Sequence, residues 1–345
     1  MGKKNCLTGV ILFAIIFTYA DTAHTELQQP RTISIASRQV NSAWVQPKGS
    51  LYNQITYSYH SSDQKYTTLG FFKTGEVISL DSDNHKEPAP EFTAHVITYH
   101  GEFGITDQVT VFTRIPWIKT SYELVQSFSG EDGPDGIGDI DLGIKYLISD
   151  NLMDTGTLLS AQGFLKIPKA YDFNDPVTSV SIGQGQYDIE FDLLFGKDFG
   201  RSYAILNAGY KYQFENKEFD PVTFKPSDEI RVMIGGGFDI NSKLTIRGSL
   251  DWTKSVENAE VSDALIVSSF STGGGQVWHG DTVLIKDTLG IEQNILNIGL
   301  ALQYNVSGRI GATIALNKDI KGLDFIGTKN AADVSTFSLA LSYLH

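Results

Sequence analysis

The chain has 345 residues, 11% of them aromatic, with 33 glycines against 10 prolines, a mean hydropathy of −0.11 and a formal charge of −13. That hydropathy is too polar for a bundle of membrane-spanning helices and too apolar for a disordered chain. An acidic surface repels phosphate backbones, so nucleic acid is not an expected partner. The only cysteine, Cys6, lies in an N-terminal leader, which leaves the mature chain without disulfides, a thiolate nucleophile or a cysteine metal site.

Residues 1–20 read as a secretory signal peptide. Lys3 and Lys4 supply its positive end, residues 7–20 its apolar run, and Thr18 and Ala20 suit peptidase cleavage. The run is shorter than the roughly 20 residues a spanning helix needs, which favours a cleaved leader over a retained anchor. Cys6 precedes the apolar run, so a lipoprotein arrangement fails, and no later stretch could form a membrane helix. A polar stretch, 21–49, follows, with Trp44 as its only tryptophan.

From residue 50 onward the sequence repeats one texture, in which segments of ten to thirteen residues alternate apolar and polar. The clearest places Tyr187, Ile189, Phe191, Leu193 and Phe195 on one face and Asp188, Glu190 and Asp192 on the other. Likewise Ile140, Leu142, Ile144, Tyr146 and Ile148 oppose Asp139, Asp141 and Lys145, and Leu296, Ile298, Leu300, Leu302 and Tyr304 oppose Asn297 and Gln303. Strands are expected near 50–60, 92–104, 107–118, 137–148, 157–168, 186–196, 202–214, 228–240, 243–254, 289–305, 309–320 and 334–345. The second has no purely apolar face.

The connections decide the architecture. Short ones at 105–107, 149–154, 197–201, 241–242 and 306–308 alternate with long ones at 119–136, 169–185, 215–227, 255–288 and 321–333. A soluble sandwich has no reason for this alternation, whereas an outer-membrane barrel has short periplasmic turns and long extracellular loops. The reading is therefore all-β: a transmembrane antiparallel up-and-down β-barrel of about 12 strands over 50–345, in the bacterial outer membrane. On this orientation Trp117, Tyr187, Tyr212, Phe214 and Trp252 mark the extracellular ends of the outward face, and Tyr146, Phe195, Phe238, Tyr304 and Tyr343 the periplasmic ends. Two aromatic girdles are what lipid interfaces favour. Residues 21–49 are then either a periplasmic tail or a plug folded into the lumen.

The segment GIGDIDLGIKY, 136–146, resembles the G-x-G-D-x-x-L-G-x-K-Y strand of the outer-membrane MetA-pathway phenol-degradation proteins, relatives of the outer-membrane fatty-acid transporter. The approach AWVQPKG, 43–49, is similar to theirs as well. The resemblance implies passive passage of small hydrophobic or aromatic molecules across the outer membrane. The last strand, with Phe337, Leu339, Leu341 and Tyr343 alternating outward, resembles the closing-strand signal that barrel-assembly machinery recognises, although His345 stands where Phe or Trp is usual. Expected partners are outer-membrane lipid and lipopolysaccharide, the assembly machinery and a small-molecule permeant.

The lumen face should carry Asp139, Asp141, Asp188, Glu190, Asp192, Asp239 and Asp251 against Arg114, Lys145, Lys166, Lys211, Arg231 and Arg247. Unpaired charge in a low-dielectric interior is costly, so these either neutralise one another or line a wet path that screens permeants. The triplet Asp188, Glu190 and Asp192 points to a cation preference. Two acidic loops, with Asp81, Asp83 and Glu87 and with Glu131, Asp132 and Asp135, lack the spacing of a calcium loop and read as solvated. His60, His95, His100 and His279 have no serine partner at triad spacing and no G-x-S-x-G elbow accompanies them. No catalytic residue, metal or cofactor is expected. The alternative function is a structural or adhesive barrel displaying the long 255–288 loop.

Overall fold

A computed structural model describes residues 42–69, 80–122, 133–168, 170–174, 181–271, 281–323 and 325–345. The signal peptide and residues 21–41 lie outside them. Twelve long strands run antiparallel: β1 (Leu51–Leu69), β2 (Leu80–Gly104), β3 (Val109–Tyr122), β5 (Ile140–Leu152), β6 (Thr157–Ile167), β7 (Asp188–Asp198), β8 (Ser202–Gln213), β10 (Glu229–Asp239), β11 (Leu244–Ser255), β13 (Asn294–Asn305), β14 (Ile310–Asp319) and β16 (Ser335–Leu344). Each pairs with its neighbours in chain order. β1 pairs with both β2 and β16, which closes the sheet into a barrel and leaves none of the twelve long strands at an edge. At the seam Tyr52 faces Leu344 and Ser61 faces Ser335, and the backbones of Leu51 and His345 exchange hydrogen bonds.

The strands form as the alternation demands. Ile144 is 50% exposed while its neighbour Lys145 is 1% exposed, and Phe191 is 64% exposed between buried Glu190 and Asp192. Apolar side chains therefore face outward and polar ones inward, the inverse of a soluble barrel and the arrangement lipid requires. The periplasmic turns are tight, and Gly200, at φ +89°, occupies a left-handed position that a side chain would strain. One outward position differs from the expected lipid contact. Leu296 is buried: Ile320 and Thr328 bond to its backbone, and Gly322 lies against its side chain.

The loops hold structure that periodicity does not signal. Crossing a membrane takes about 9–11 strand residues, so β1 with 19 and β2 with 25 project well beyond it. The short strands β4 (Asp135–Ile137), β9 (Phe224–Lys225), β12 (Glu260–Val261) and β15 (Ala331–Ala332) and the helices α1 (Asp263–Ser271) and α2 (Thr282–Leu289) also lie on the long-loop side. Their apolar residues make a second core outside the barrel, in which Phe224, Ala259, Leu265, Ile285 and Ile291 are buried and Phe173 packs against them.

Ion pairs fasten the projecting hairpin to this cap. Lys65 on β1 reaches Asp287 on α2 at 2.5 Å, and Lys86 on β2 binds Asp333, which Lys318 on β14 also approaches at 2.9 Å. Burial pushes the Asp333 carboxyl up, but hydrogen bonds from Lys86 and Lys318 outweigh it and hold the group below its ordinary range. The hydrogen bond to Asp333 holds Lys86 above its own range. A lowered carboxylate pKa contributes stability above its unfolded value and loses it as pH falls through the folded one, and a raised lysine pKa contributes below its unfolded value and loses it on alkaline titration. The Lys86–Asp333 clamp is thus fully present from about pH 4 to about pH 10. A nitroxide at Asp63 should gain mobility in electron paramagnetic resonance spectra below about pH 4, and Asp333→Asn should show that mobility at neutral pH.

Candidate functional site

Where lumen-facing side chains meet across the strands, charge alternates. Arg114 lies opposite Asp141, Asp141 opposite Lys166 and Lys166 opposite Asp188, and Glu190 lies opposite Lys211, which lies opposite Glu229. Opposite charges in direct cross-strand register attract, and partners offset the cost of desolvation. The contacts follow: Arg114 to Asp141 at 3.2 Å, Lys166 to Asp188 at 2.6 Å and to Asp139 at 3.4 Å, and Lys211 to Glu229 at 3.0 Å and to Asp188 at 3.8 Å. Farther round, the Arg231 Nε donates to both carboxylate oxygens of Asp251, at 3.1 and 3.2 Å. Gln162 donates to Asp192 at 2.9 Å. A Cβ on the facing residue, Gly209, would come within 2.0 Å of an Asp192 carboxylate oxygen, so glycine there makes room for the carboxylate.

These contacts form a ladder of ion pairs across β3 to β11. It holds Arg114, Asp139, Asp141, Asp188, Lys211, Arg231 and Asp251, with Glu190 and Asp192 seated in the same wall and Arg247 beside the Tyr203 ring. The acidic triplet is the covered side of the ladder. Asp192 is 8% exposed, whereas the Arg231 side chain is 34% exposed. Within the triplet Asp188 pairs with Lys166, Asp192 accepts from Gln162, and Glu190 stands opposite Lys211 in register.

Lys145 belongs to a separate cluster near the periplasmic end. Its Nζ lies 3.6 Å from Glu102 and donates to the Trp44 carbonyl at 3.3 Å. Glu102 also receives Gln46 Nε2 at 2.7 Å and pairs with His100 Nε2 at 3.1 Å. The chain before β1 is therefore strapped to the inner wall. Ser160 donates to the Ala43 carbonyl at 2.6 Å, the Gln46 amide donates to Thr110 at 2.7 Å, and the Trp44 ring meets Tyr203 edge-on at 5.9 Å. Residues 42–46 are all buried, and their contacts run over β2, β3, β5, β6 and β8.

At the other end, Tyr171 reaches in from the loop after β6 and donates to Asp139 at 2.6 Å, while accepting the Gly185 amide at 3.0 Å. Burial and the bond to Asp139 raise its phenol well above the ordinary range, so it remains a donor at any physiological pH.

The remaining arc, β13, β14, β16 and β1, is built differently. Ala301, Ala315, Ser338 and Ser58 succeed one another in register across the four strands, and Thr313, Ala340 and Thr56 form the row beside them. Their chain neighbours Leu302, Ile314, Leu316, Leu339 and Leu341 are exposed outward, which turns these small side chains inward. Neither row contains a charge, and all seven side chains stay partly accessible although they face the interior.

Glu102, His100, Gln46, Gln162, Glu229 and Tyr171 are lumen or mouth residues that the alternation did not single out. The inward Glu102 and His100 explain why β2 has no purely polar or apolar signature, and His100 stands opposite the lumen cation Arg114 in register. Among the described residues no cluster of metal-ligating side chains occurs.

The deciding comparison is with solved structures. The chain matches the COG4313 outer membrane channel from Pseudomonas putida F1 with a TM-score of 0.64 over 89% of this chain and 99% of that one, at 14% identity. The chain has an outer-membrane channel fold. It also aligns with the Pseudomonas putida toluene transporter TodX, at 10% identity over 87% and 90% of the two chains with a TM-score of 0.41, and with a Pseudomonas aeruginosa FadL homologue, at 11% identity over 85% and 90% with a TM-score of 0.41. No protein-family model and no curated protein matches the chain in sequence. The channel fold agrees with the girdles: Trp117, Tyr187, Tyr212 and Phe214 at one rim and Tyr146, Phe238, Tyr304 and Tyr343 at the other are exposed outward.

Proposed function

We propose that this barrel is a passive outer-membrane channel for small organic molecules. The observation that carries the proposal is the division of the lumen wall into a filled, ion-paired arc and an arc of small uncharged side chains. A solute passes most readily where the wall is shallow and weakly binding, because a path must admit its permeant without retaining it. Ser338, Ser58, Thr313 and Thr56 offer hydroxyls along such a path, and Arg114 and Arg231 stay partly exposed on the ladder. The family resemblance of residues 136–146 indicates small aromatic or otherwise hydrophobic molecules as the permeant, and a hydroxyl-bearing wall suits those with a polar substituent. The strap at 42–46 is the base of a partial plug on the charged side of the periplasmic end. Arg114, Asp139, Asp141, Lys145, Asp188, Glu190, Asp192, Lys211, Arg231, Arg247 and Asp251 form the opposing lining.

The purified barrel in a planar bilayer should conduct, and liposomes carrying it should swell in phenol-like solutes. Ala315→Trp, which places an indole in the small-residue arc, should cut conductance roughly threefold or more. Unchanged conductance would move the path elsewhere. A second reading, a barrel that displays its loops to a partner, is favoured by one feature: Val267 and Phe270 on α1 are 66% and 65% exposed although the helix packs on the cap core. Cell or protein binding that is lost on trimming 263–289, with conductance intact, would support it.

A further inference from the structure

We infer that the outward extracellular rim of β16, β1, β2 and β3 is a docking site for the phosphorylated headgroup of lipid A in the outer leaflet. The inference rests on the orientation of the proposed channel, with its short turns in the periplasm.

Two outward rows meet there. In the upper row Phe337, Tyr59, His95 and Lys119 succeed one another in register across the four strands, and in the lower row Leu339, Tyr57, Ile97 and Trp117 do the same. The lower row is apolar and aromatic, with Leu339, Ile97 and Trp117 all well exposed. It belongs to the girdle, where acyl chains end. The upper row lies one step farther from the membrane centre and brings two basic side chains side by side on the lipid face.

Both are available. His95 and Lys119 are exposed. The Tyr57 hydroxyl bonds His95 Nδ1 at 2.8 Å and the Tyr59 ring packs on the imidazole at 5.2 Å, which holds the ring in place and leaves Nε2 without a partner among the described residues. Lys119 has no carboxylate within ion-pair distance among the described residues, although Asp135 is its cross-strand neighbour. The inward cations Arg114, Lys145, Lys166, Lys211 and Arg231 each have a carboxylate within reach. A cation left unpaired on the lipid side is costly in hydrocarbon and tolerated at the interface, where anionic headgroups supply the counter-charge.

A lipid A molecule matches the two rows together. Its phosphates accept charge-assisted hydrogen bonds from Lys119 and His95, its sugars lie against Tyr59, and its acyl chains run down over Tyr57, Ile97 and Trp117. The match is of charge and of depth. The site presents an ammonium and an imidazole donor at headgroup level and apolar surface directly below, on a chain whose net charge is −13.

The test is native mass spectrometry of the full-length barrel in detergent with bisphosphorylated lipid A, and with the same lipid stripped of its phosphates. The wild type should retain the bisphosphorylated form about tenfold better. The double variant His95→Gln/Lys119→Gln should lose that preference, and Lys119→Arg should keep it. Folding of each variant is read from its heat-modifiable migration, and both changed side chains are exposed, so the barrel is expected to persist. Equal retention by wild type and double variant would overturn the site, as would equal retention of the two lipids. Displacement of the lipid by millimolar inorganic phosphate would make this a free-anion site and overturn it too. Bilayer conductance of the same proteins separates the two readings, since a conducting barrel without lipid preference refutes the docking site alone and a folded barrel that never conducts refutes the channel alone.

Discussion

Leu300→Arg should prevent the barrel from assembling in lipid. Leu300 is 63% exposed on β13, flanked by the outward Ile298 and Leu302 and opposite Leu316 of β14, so its side chain points into the hydrocarbon near mid-strand. A lipid-facing arginine at the bilayer midplane costs about 2–4 kcal/mol. Ile144→Arg, at the equivalent depth on β5, should behave alike, because Ile144 is flanked by the exposed Leu142 and Tyr146. The neighbouring change Ala301→Ser, one residue along and inward, should be silent. Folding into vesicles, read as the yield of heat-modifiable barrel, checks all three. Normal yields for both arginine variants would mean that these faces do not contact lipid.

Lys145→Met should be the most destabilising single change in the lumen. Its ammonium is almost wholly enclosed between Glu102 and the Trp44 carbonyl, and Glu102 is enclosed in turn by His100 and Gln46. Removing one partner of a buried pair leaves the other charge uncompensated, at about 3–5 kcal/mol. The strap loses a hydrogen bond at the same time, so conductance should rise as Trp44 loosens from Tyr203. Adding Glu102→Gln should restore most of the stability, because the orphaned charge goes with it, while the raised conductance should remain. Urea titration in vesicles followed by tryptophan fluorescence, with bilayer recording, measures both. A loss below about 1 kcal/mol, the value of a solvated surface pair, would show that water reaches Glu102 freely.

The two predictions draw on different information. Leu300, Ile144 and the acidic face of β7 are legible in the sequence, because alternation at period two is a local property and two solvents on two faces leave their mark on each strand. The alternation of short and long connections adds the barrel closure and its orientation. Tertiary structure alone decides which charges meet. Lys166 reaches Asp188, and Lys211 reaches Glu229, through register set across neighbouring strands, and no local pattern encodes that pairing. The same holds for the loop cap, where Leu265 and Ile285 find Phe224 across long separations in segments too short for any period to show. It holds most of all for Ser42 to Gln46. From the sequence the stretch that holds them is either a periplasmic tail or a plug in the lumen, and they end inside the barrel because Lys145, Ser160 and Thr110 supply bonds that their own neighbours in the chain cannot.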